Sequence, residues 1–283
     1  MDAAEINLPR LDTAALLRAH DLSPRKGLGQ NFLVDDAALR RVIQAADISP
    51  DSTVLEVGPG LGHLTRYLAR SAGKVVAVEL DRNLIPVLQE VLGGAPNVQV
   101  VQGDILELDL GGLIADEGYL VVANIPYNIT GPLIQRLLEA RLKPARLVLT
   151  IQKEVAQAIC AGPGDLSIRA LSVQVYGMPR ILATIPAAAF FPAPEVDSAV
   201  LRIDLYPEPL VPASLLGDYF RLVKAGFSQK RKTLRNSLAG GLAWKPERTA
   251  ALLESAGIDP QRRAETVSLG EWNTLVSAFR EAQ

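Results

Sequence analysis

The sequence predicts an α/β protein: a doubly wound, Rossmann-like parallel sheet followed by a small all-helical domain. Three observations predict it. Short β-branched runs alternate with helical patterns over the first two-thirds of the 283 residues. Those runs are almost continuously apolar, as strands covered on both faces are. From Val211 onward only helical patterns remain.

Taken in order, TVLEVG, KVVAVEL, VQVVQGD, YLVVAN and ARLVLTIQ read as strands, and HLTRYLARS, RNLIPVLQEVL, PLIQRLLEA and KEVAQAIC as helices. IPAAAFFPAPEVD is a proline-rich turn region. SAVLRIDLY alternates apolar and polar residues and reads as a late strand returning to the sheet. YPEPLVP then supplies three prolines, which places a boundary near Glu208. The expected division is an N-terminal extension (1–24), a sheet domain (25–208) and a helical domain (209–283) built from ASLLGDYFRLVKAGF, QKRKTLRNSLAGGL, PERTAALLESAG and LGEWNTLVSAFREA.

Composition narrows the functional classes. With 48% hydrophobic and 21% charged residues and no apolar run of about 18 residues, a membrane span is not expected. The opening MDAAEINLPRLDTAALLRAH carries acids early and resembles neither a secretory signal nor a transit peptide, so a cytoplasmic location is expected. A single cysteine, Cys160, and two histidines argue against disulfide, zinc and redox chemistry, and no metal is expected. Net charge is −2, yet RLVKAGFSQKRKTLR (221–235) holds Lys224, Lys230, Arg231, Lys232 and Arg235 without an acid. Such a patch suits a polyanion. Its plainer reading is a solvated basic helix, with Leu234 and Leu238 buried and Arg231 and Arg235 flanking them.

VLEVGPGLGHLTRYL is a strand, a glycine turn and a helix. Gly58, Gly60 and Gly62 let the backbone turn tightly and approach a ligand. Glu79 ends the next strand, where an acid can accept from ribose hydroxyls, and Asp104 ends the third, where an acid could accept from an adenine amino group. Each alone reads as an ordinary strand-end residue; three consecutive strand ends together point to a nucleoside. The early Gly62 suits S-adenosyl-L-methionine (SAM), which has no phosphate to cradle, better than a dinucleotide.

NIPY (124–127) follows the apolar run YLVVA. The side-chain oxygen of Asn124 and a backbone carbonyl near Ile125 or Pro126 could accept both N–H bonds of an adenine amine and stabilise charge developing on it. Pro126 stiffens the backbone and Tyr127 can stack on the base. Phe190 and Phe191 offer a second aromatic face, one of them equally readable as core.

Together these residues resemble the ribosomal RNA adenine dimethyltransferase family. The blocks GQNFL, EVGPGLGHLT, VVAVELD, GDIL, ANIPYNIT, QKEVAQ, FFPAPEVDSAV, KRKTLRNSL and AGIDPQRRAE stand in the family's order over nearly all of the chain after about residue 23. The resemblance implies a monomeric, SAM-dependent enzyme that places two methyls on N6 of each of two adjacent adenines in the 3′-terminal hairpin of small-subunit ribosomal RNA, within a partly assembled subunit. It also implies SAM contacts at Asn31, Leu33, Gly58, Glu79, Asp104 and Asn124, an adenine sandwich of Tyr127 with Phe190 or Phe191, and RNA contacts from Lys230, Arg231, Lys232 and Arg235. Read without it, GQNFL is a loop entering a helix. The chain departs from the family where GPGDLSIRALSVQ lacks a tyrosine-glycine pair and where Glu195 replaces a common lysine. Two alternatives differ in class: a DNA adenine methyltransferase, told apart by substrate competition, and a non-catalytic ribosome-assembly factor, told apart by absence of methyl transfer.

Overall fold

The β-branched runs form strands because their side chains are buried on both faces of one sheet. In the computed structural model, which describes residues 6 and 8–282, the strands are β1 (Phe32–Leu33), β2 (Thr53–Val57), β3 (Lys74–Glu79), β4 (Val98–Gln102), β5 (Leu120–Asn124), β6 (Arg146–Gln152), β7 (Gly177–Ile185), β8 (Phe190–Phe191) and β9 (Ser198–Leu205). Seven of them make one sheet in the order β4-β3-β2-β5-β6-β9-β7. The pairs from β4 to β6 are parallel, and β9 returns antiparallel to β6. Burial follows position: β2, β3, β5 and β6 are buried almost throughout, whereas β4 and β7 at the edges are largely open. β1 and β8 pair separately, Phe32 with Phe191 and Leu33 with Phe190.

Helices α1 (Thr13–Ala19), α2 (Asp36–Ala46), α3 (His63–Ser71), α4 (Ile85–Leu92), α5 (Leu110–Leu113) and α6 (Thr130–Glu139) belong to the same unit. α2 illustrates the local logic. The Asp35 carboxylate accepts the Ala38 N–H at 2.8 Å and caps the helix start. Leu39, Val42, Ile43 and Ala46 then recur at helical spacing and are all buried. At about 1.5–3 kcal/mol for each large side chain, this stripe outweighs the helix's polar content. The Asp36–Ala46 helix closes on Asp47, and Arg146 and Arg202 donate to the last carbonyls, Ala46 and Ala45, at 2.8 and 3.2 Å.

Packing separates two units: residues 1–156 with 180–205, and residues 157–179 with 206–283. The expected single cut at 208 misses this, because α8 (Ile168–Gln174) packs on α9 (Leu216–Gly226) and the buried Tyr219 hydroxyl donates to the Leu171 carbonyl at 3.1 Å. α7 (Lys153–Ile159) runs across the first division. Within the expected extension 1–24, α1 belongs to the sheet unit; residues 1–5 and 7 lie outside the described residues.

The second unit continues with α10 (Leu234–Leu242), α11 (Pro246–Ser255) and α12 (Leu269–Glu281). Its centre is Trp272, Tyr219 and Phe279, all fully buried. α9 and α10 approach so closely that a Cβ on Gly241 would lie 2.6 Å from Ala225 Cα. α12 opens with a capping box in which Ser268 and Glu271 satisfy each other's backbone donors. The expected helix through QKRKTLR is corrected here: residues 227–233 form turns, and α10 starts only at Leu234.

Asp204 on β9 receives Arg146, Arg180 and Arg202, which themselves cap α2 or hold neighbouring strands. Burial alone would raise its pKa, but the three guanidinium hydrogen bonds outweigh it and hold the carboxyl at about 2. A depressed carboxyl contributes stability above its unfolded pKa and loses it as pH falls through the folded value. Replacing Asp204 by Asn should therefore cost about 1 kcal/mol at neutral pH after allowance for solvent screening. Melting curves from pH 7 to pH 2 should show that difference shrinking below about pH 4 as the carboxyl begins to protonate; a gap independent of pH would refute the ion-pair account.

Candidate functional site

Parallel strands end together, so whatever follows each one collects along a single edge. The chain runs outward from β2 to β4, then returns to place β5 on the other side of β2, and ligands bind such sheets beside this reversal. An open cleft lies there, lined by the loop before β1, the glycine turn, the ends of β3, β4 and β5, and Phe190. Asn31, Leu33, Gly58, Glu79, Asp104, Asn124, Pro126 and Tyr127 all line it.

The glycine turn is held from β3. Glu79, only 5% exposed, accepts the Gly60 N–H at 3.0 Å on one carboxylate oxygen and the Asp81 N–H at 2.8 Å on the other. Gly60 has φ 59°, and a Cβ there would meet the Phe32 ring at 2.9 Å, so no other residue fits without displacement. The loop before β1 is tied to the same place. Gln30 donates to Asp81 at 3.1 Å and accepts the Arg25 N–H at 2.8 Å, and Arg25 reaches Asp81 at 3.5 Å. Asp104 turns the chain after β4 by accepting the Leu106 N–H at 2.8 Å.

Glu56 is 1% exposed, and its Oε2 has no hydrogen-bond partner among the described residues. Burial pushes its pKa up to about 8; the nearby Thr65 hydroxyl opposes the rise and the charge of Glu79 adds to it. Burial also raises Glu79, against the two backbone donors that stabilise its charged form. His63, in the first turn of α3, is lowered to about 4 by burial and the nearby Arg66, and is neutral at physiological pH.

On the opposite wall, Asn124 ends β5 and donates from Nδ2 to the Asn31 carbonyl at 2.9 Å, across 93 residues of sequence. Its amide is thereby oriented, with Oδ1 left as an acceptor. Ile125 N–H bonds the Thr150 carbonyl at 3.2 Å and Pro126 has φ −54°, so the backbone after the strand is pinned. The Pro126 carbonyl already accepts the Ile129 N–H at 3.2 Å, which uses one of its two lone pairs. Tyr127 is half-buried and its hydroxyl lies 2.8 Å from Ser198 Oγ at the start of β9.

The two phenylalanines separate. Phe190 is 5% exposed, packs in the core and lines the cleft, while Phe191 is 38% exposed and faces a second hollow beside Arg10–Ala14 and Val34. Lys230, Arg231 and Lys232 are exposed in the turn before α10 and belong to the helical unit; Arg235 is half-buried in the helix and donates to Asn236 at 3.3 Å. Residue spacing alone does not point to Gln30, Asp81 or Leu80; Glu56 stands out only as an acid preceding the glycine turn. Leu80, 49% exposed beside Glu79, could have been noticed as an apolar residue at a strand end that other strand ends spend on polar groups.

Residues 22–281 match the ribosomal RNA adenine dimethylase family. Among curated proteins, the chain is similar to the "Ribosomal RNA small subunit methyltransferase A" of Dehalococcoides mccartyi strain CBDB1, 45% identical over 92% of this chain and 90% of that one. The protein of the same name from Pelotomaculum thermopropionicum is 45% identical over 94% and 95%. Among solved structures, the 23S rRNA methyltransferase ErmE superposes with a TM-score of 0.72 at 30% identity, covering 88% of this chain and all of that one. A dimethyladenosine transferase from Plasmodium falciparum, 24% identical, shares the fold with a TM-score of 0.75 over 88% of this chain and 98% of that one. With nearly the whole chain matched and the cleft built from the same blocks, this protein belongs to the ribosomal RNA adenine dimethylase family.

Proposed function

We propose that this chain is a SAM-dependent enzyme that dimethylates N6 of two adjacent adenines in the 3′-terminal hairpin of small-subunit ribosomal RNA, acting on a partly assembled subunit. The observation that carries the reading is the Asn124 amide, anchored through its nitrogen on Asn31 and presenting its oxygen in a cleft shared with the glycine turn.

The residues suit the cofactor. SAM is cationic at both its ammonium and its sulfonium, and the cleft supplies a buried, unpartnered Glu56 oxygen and no competing cation on its wall. A Cβ at Gly58 would project toward Pro126, 3.8 Å away, so the missing side chain keeps space open between the two walls. Glu79 retains lone pairs for ribose hydroxyls after its two backbone bonds, Leu80 and Ile105 offer apolar faces for a purine, and the Asp104 turn offers a polar edge. Asn31 and Leu33 close the cleft from the β1 side. When bound, SAM supplies a methyl group already attached to its leaving group.

The chain's own residues then position the acceptor. Asn124 Oδ1 and a carbonyl at Ile125 or Pro126 take the two amine hydrogens, which orients the nitrogen and stabilises positive charge as it develops. A first methylation adds one methyl to the nitrogen and releases one amine proton to solvent; one hydrogen remains, and one acceptor still suffices to hold it. Tyr127 and Phe190 cover the two faces of a base that has left its stack. No side chain needs to act as a nucleophile, which fits a reaction carried by alignment. Lys230, Arg231 and Lys232 contact RNA phosphates as mobile point charges.

Asn124→Ala should lower methyl transfer to undermethylated small subunits by at least about a hundredfold, with the far-ultraviolet circular dichroism unchanged. Labelled-methyl transfer followed by nucleoside analysis reads this directly; full activity would reject the amine site, and product on DNA rather than on subunits would reject the substrate.

Glu56 makes a second prediction for the cofactor-free protein. Because its folded pKa, about 8, lies above the ordinary value of 4.5, the native state keeps a proton that the unfolded chain releases. Stability should fall by a few kcal/mol as pH rises from about 4.5 to 8, and Glu56→Gln should flatten that part of the curve. Identical pH profiles for the two proteins would contradict it.

Replacing Arg231 and Lys232 by Gln should weaken binding of the ribosomal RNA and reduce the slope of log K against log salt by about one to two. Filter binding across a salt series measures this, and an unchanged slope would retire the basic turn as an RNA contact.

A further inference from the structure

The glycine turn is fixed to β3 at Gly58 and Gly60, whose N–H groups donate to the Val78 carbonyl and the Glu79 carboxylate at 2.9 and 3.0 Å. Its far end has no such anchor in the sheet. Gly62, with φ 84°, gives α3 no side-chain cap. The next residue, His63, is buried, and its Nε2 lies 2.9 Å from the hydroxyl of Thr13, also buried, in the first turn of α1. The two are 50 positions apart.

Three further contacts run along the same strap. Leu17 on α1 packs with Leu61 of the turn, with Phe32 and with Leu84 and Val87 near α4. Phe32 in turn rests against the space where a Gly60 side chain would be. Arg66, one turn along α3, donates to the Pro9 carbonyl at 2.9 Å. A neutral imidazole suits this place, since a buried imidazolium would carry charge with only a hydroxyl for a partner.

We infer that α1, through the Thr13–His63 hydrogen bond, is a working part of the cofactor site and that Thr13 and His63 are positioning residues for the glycine turn. The inference rests on the cofactor reading of the cleft. Fixing Gly58 and Gly60 on one side and Leu61 and His63 on the other leaves the turn one shape, so binding need not supply the ordering cost. A disordered turn would pay it at every encounter. The step after binding is untouched, because neither residue is placed at the amine wall.

The test uses the full chain and S-adenosylhomocysteine as probe. Thr13→Val, nearly isosteric but without the hydroxyl, should weaken probe binding about five- to tenfold in calorimetry, the effect of one net hydrogen bond. It should raise KM for SAM by a similar factor and leave kcat at saturating SAM within about twofold. Thr13→Ser should restore binding. Adding Thr13→Val to His63→Ala should cost nothing more, since one bond is broken once. Amide hydrogen exchange at residues 58–63 should accelerate in Thr13→Val ahead of the rest of the sheet unit. Unchanged binding with a lower melting temperature, additive losses, or exchange that rises evenly through the fold would overturn the inference and leave α1 a packing helix. A wild-type chain that bound no probe would reject the cofactor reading, and the exchange rates alone would then decide the role of the strap.

Discussion

The Glu79 carboxylate is the joint on which the cleft depends. One oxygen holds the glycine turn at Gly60 and the other holds the chain after β3 at Asp81, whose own carboxylate receives Gln30 and Arg25. The glycine turn and the loop before β1, far apart in sequence, are thus fastened to a pair of neighbouring buried acids, Glu79 and Asp81. The arrangement is costly, since burial disfavours the charged form, and it persists because the backbone donors are fixed in place before any ligand arrives. From that joint the cleft's second wall follows: the loop carrying Gln30 also presents the Asn31 carbonyl, and that carbonyl orients Asn124.

Two buried acids on one side of the cleft give it a direction as well as a shape. Glu79 stands near enough to raise the proton affinity of Glu56, and no lysine or arginine among the residues lining the cleft offsets the two acids. A sheet unit that optimised stability alone would replace Glu56 with an apolar residue of similar size. Retaining it makes sense where a cation is the ligand, because the stability given up in the free protein returns as binding energy. The opposite wall carries no charge: Asn124, Pro126, Tyr127 and Phe190 are neutral, as a site for a neutral base requires.

Much of this was readable from residues because the sheet has a period and an edge. Gly58, Glu79, Asp104 and Asn124 could be placed together once each was seen to end a strand, and all four line the cleft. Side-chain partners were not readable in the same way. Gln30 with Asp81, Thr13 with His63 and Asn31 with Asn124 are separated by 51, 50 and 93 positions, and nothing in local spacing encodes such pairs. The edge strand β7 escaped because its exposure breaks the apolar run that marks a strand. The segment 157–179 looked like a continuation of the sheet domain because its helix carries the same 3.6-residue pattern whichever unit it packs on. The basic stretch before α10 looked helical because Leu234 and Leu238 set a stripe that begins only where the helix does; Lys230 to Lys232 precede it and are left to turns.

The choice between Phe190 and Phe191 shows what strand geometry adds to motif reading. Two neighbouring residues of one strand point to opposite faces, so only one of an adjacent aromatic pair can face a given site. Here the lining of the cleft includes Phe190 and not Phe191, although their partners on β1, Leu33 and Phe32, both line it. Phe190 is also packed in the core, which holds its ring before a base arrives, whereas Phe191 is free to meet solvent. A ring that is already immobile loses little entropy on binding, so the proposed stacking role suits the buried Phe190 better than the exposed Phe191. The same reasoning applies to the proposed role of Tyr127, whose hydroxyl is held by Ser198. In both cases the ring takes its rigidity from strands that bury apolar surface, Phe190 on β8 and Ser198 on β9, so a base would meet what the core has already ordered.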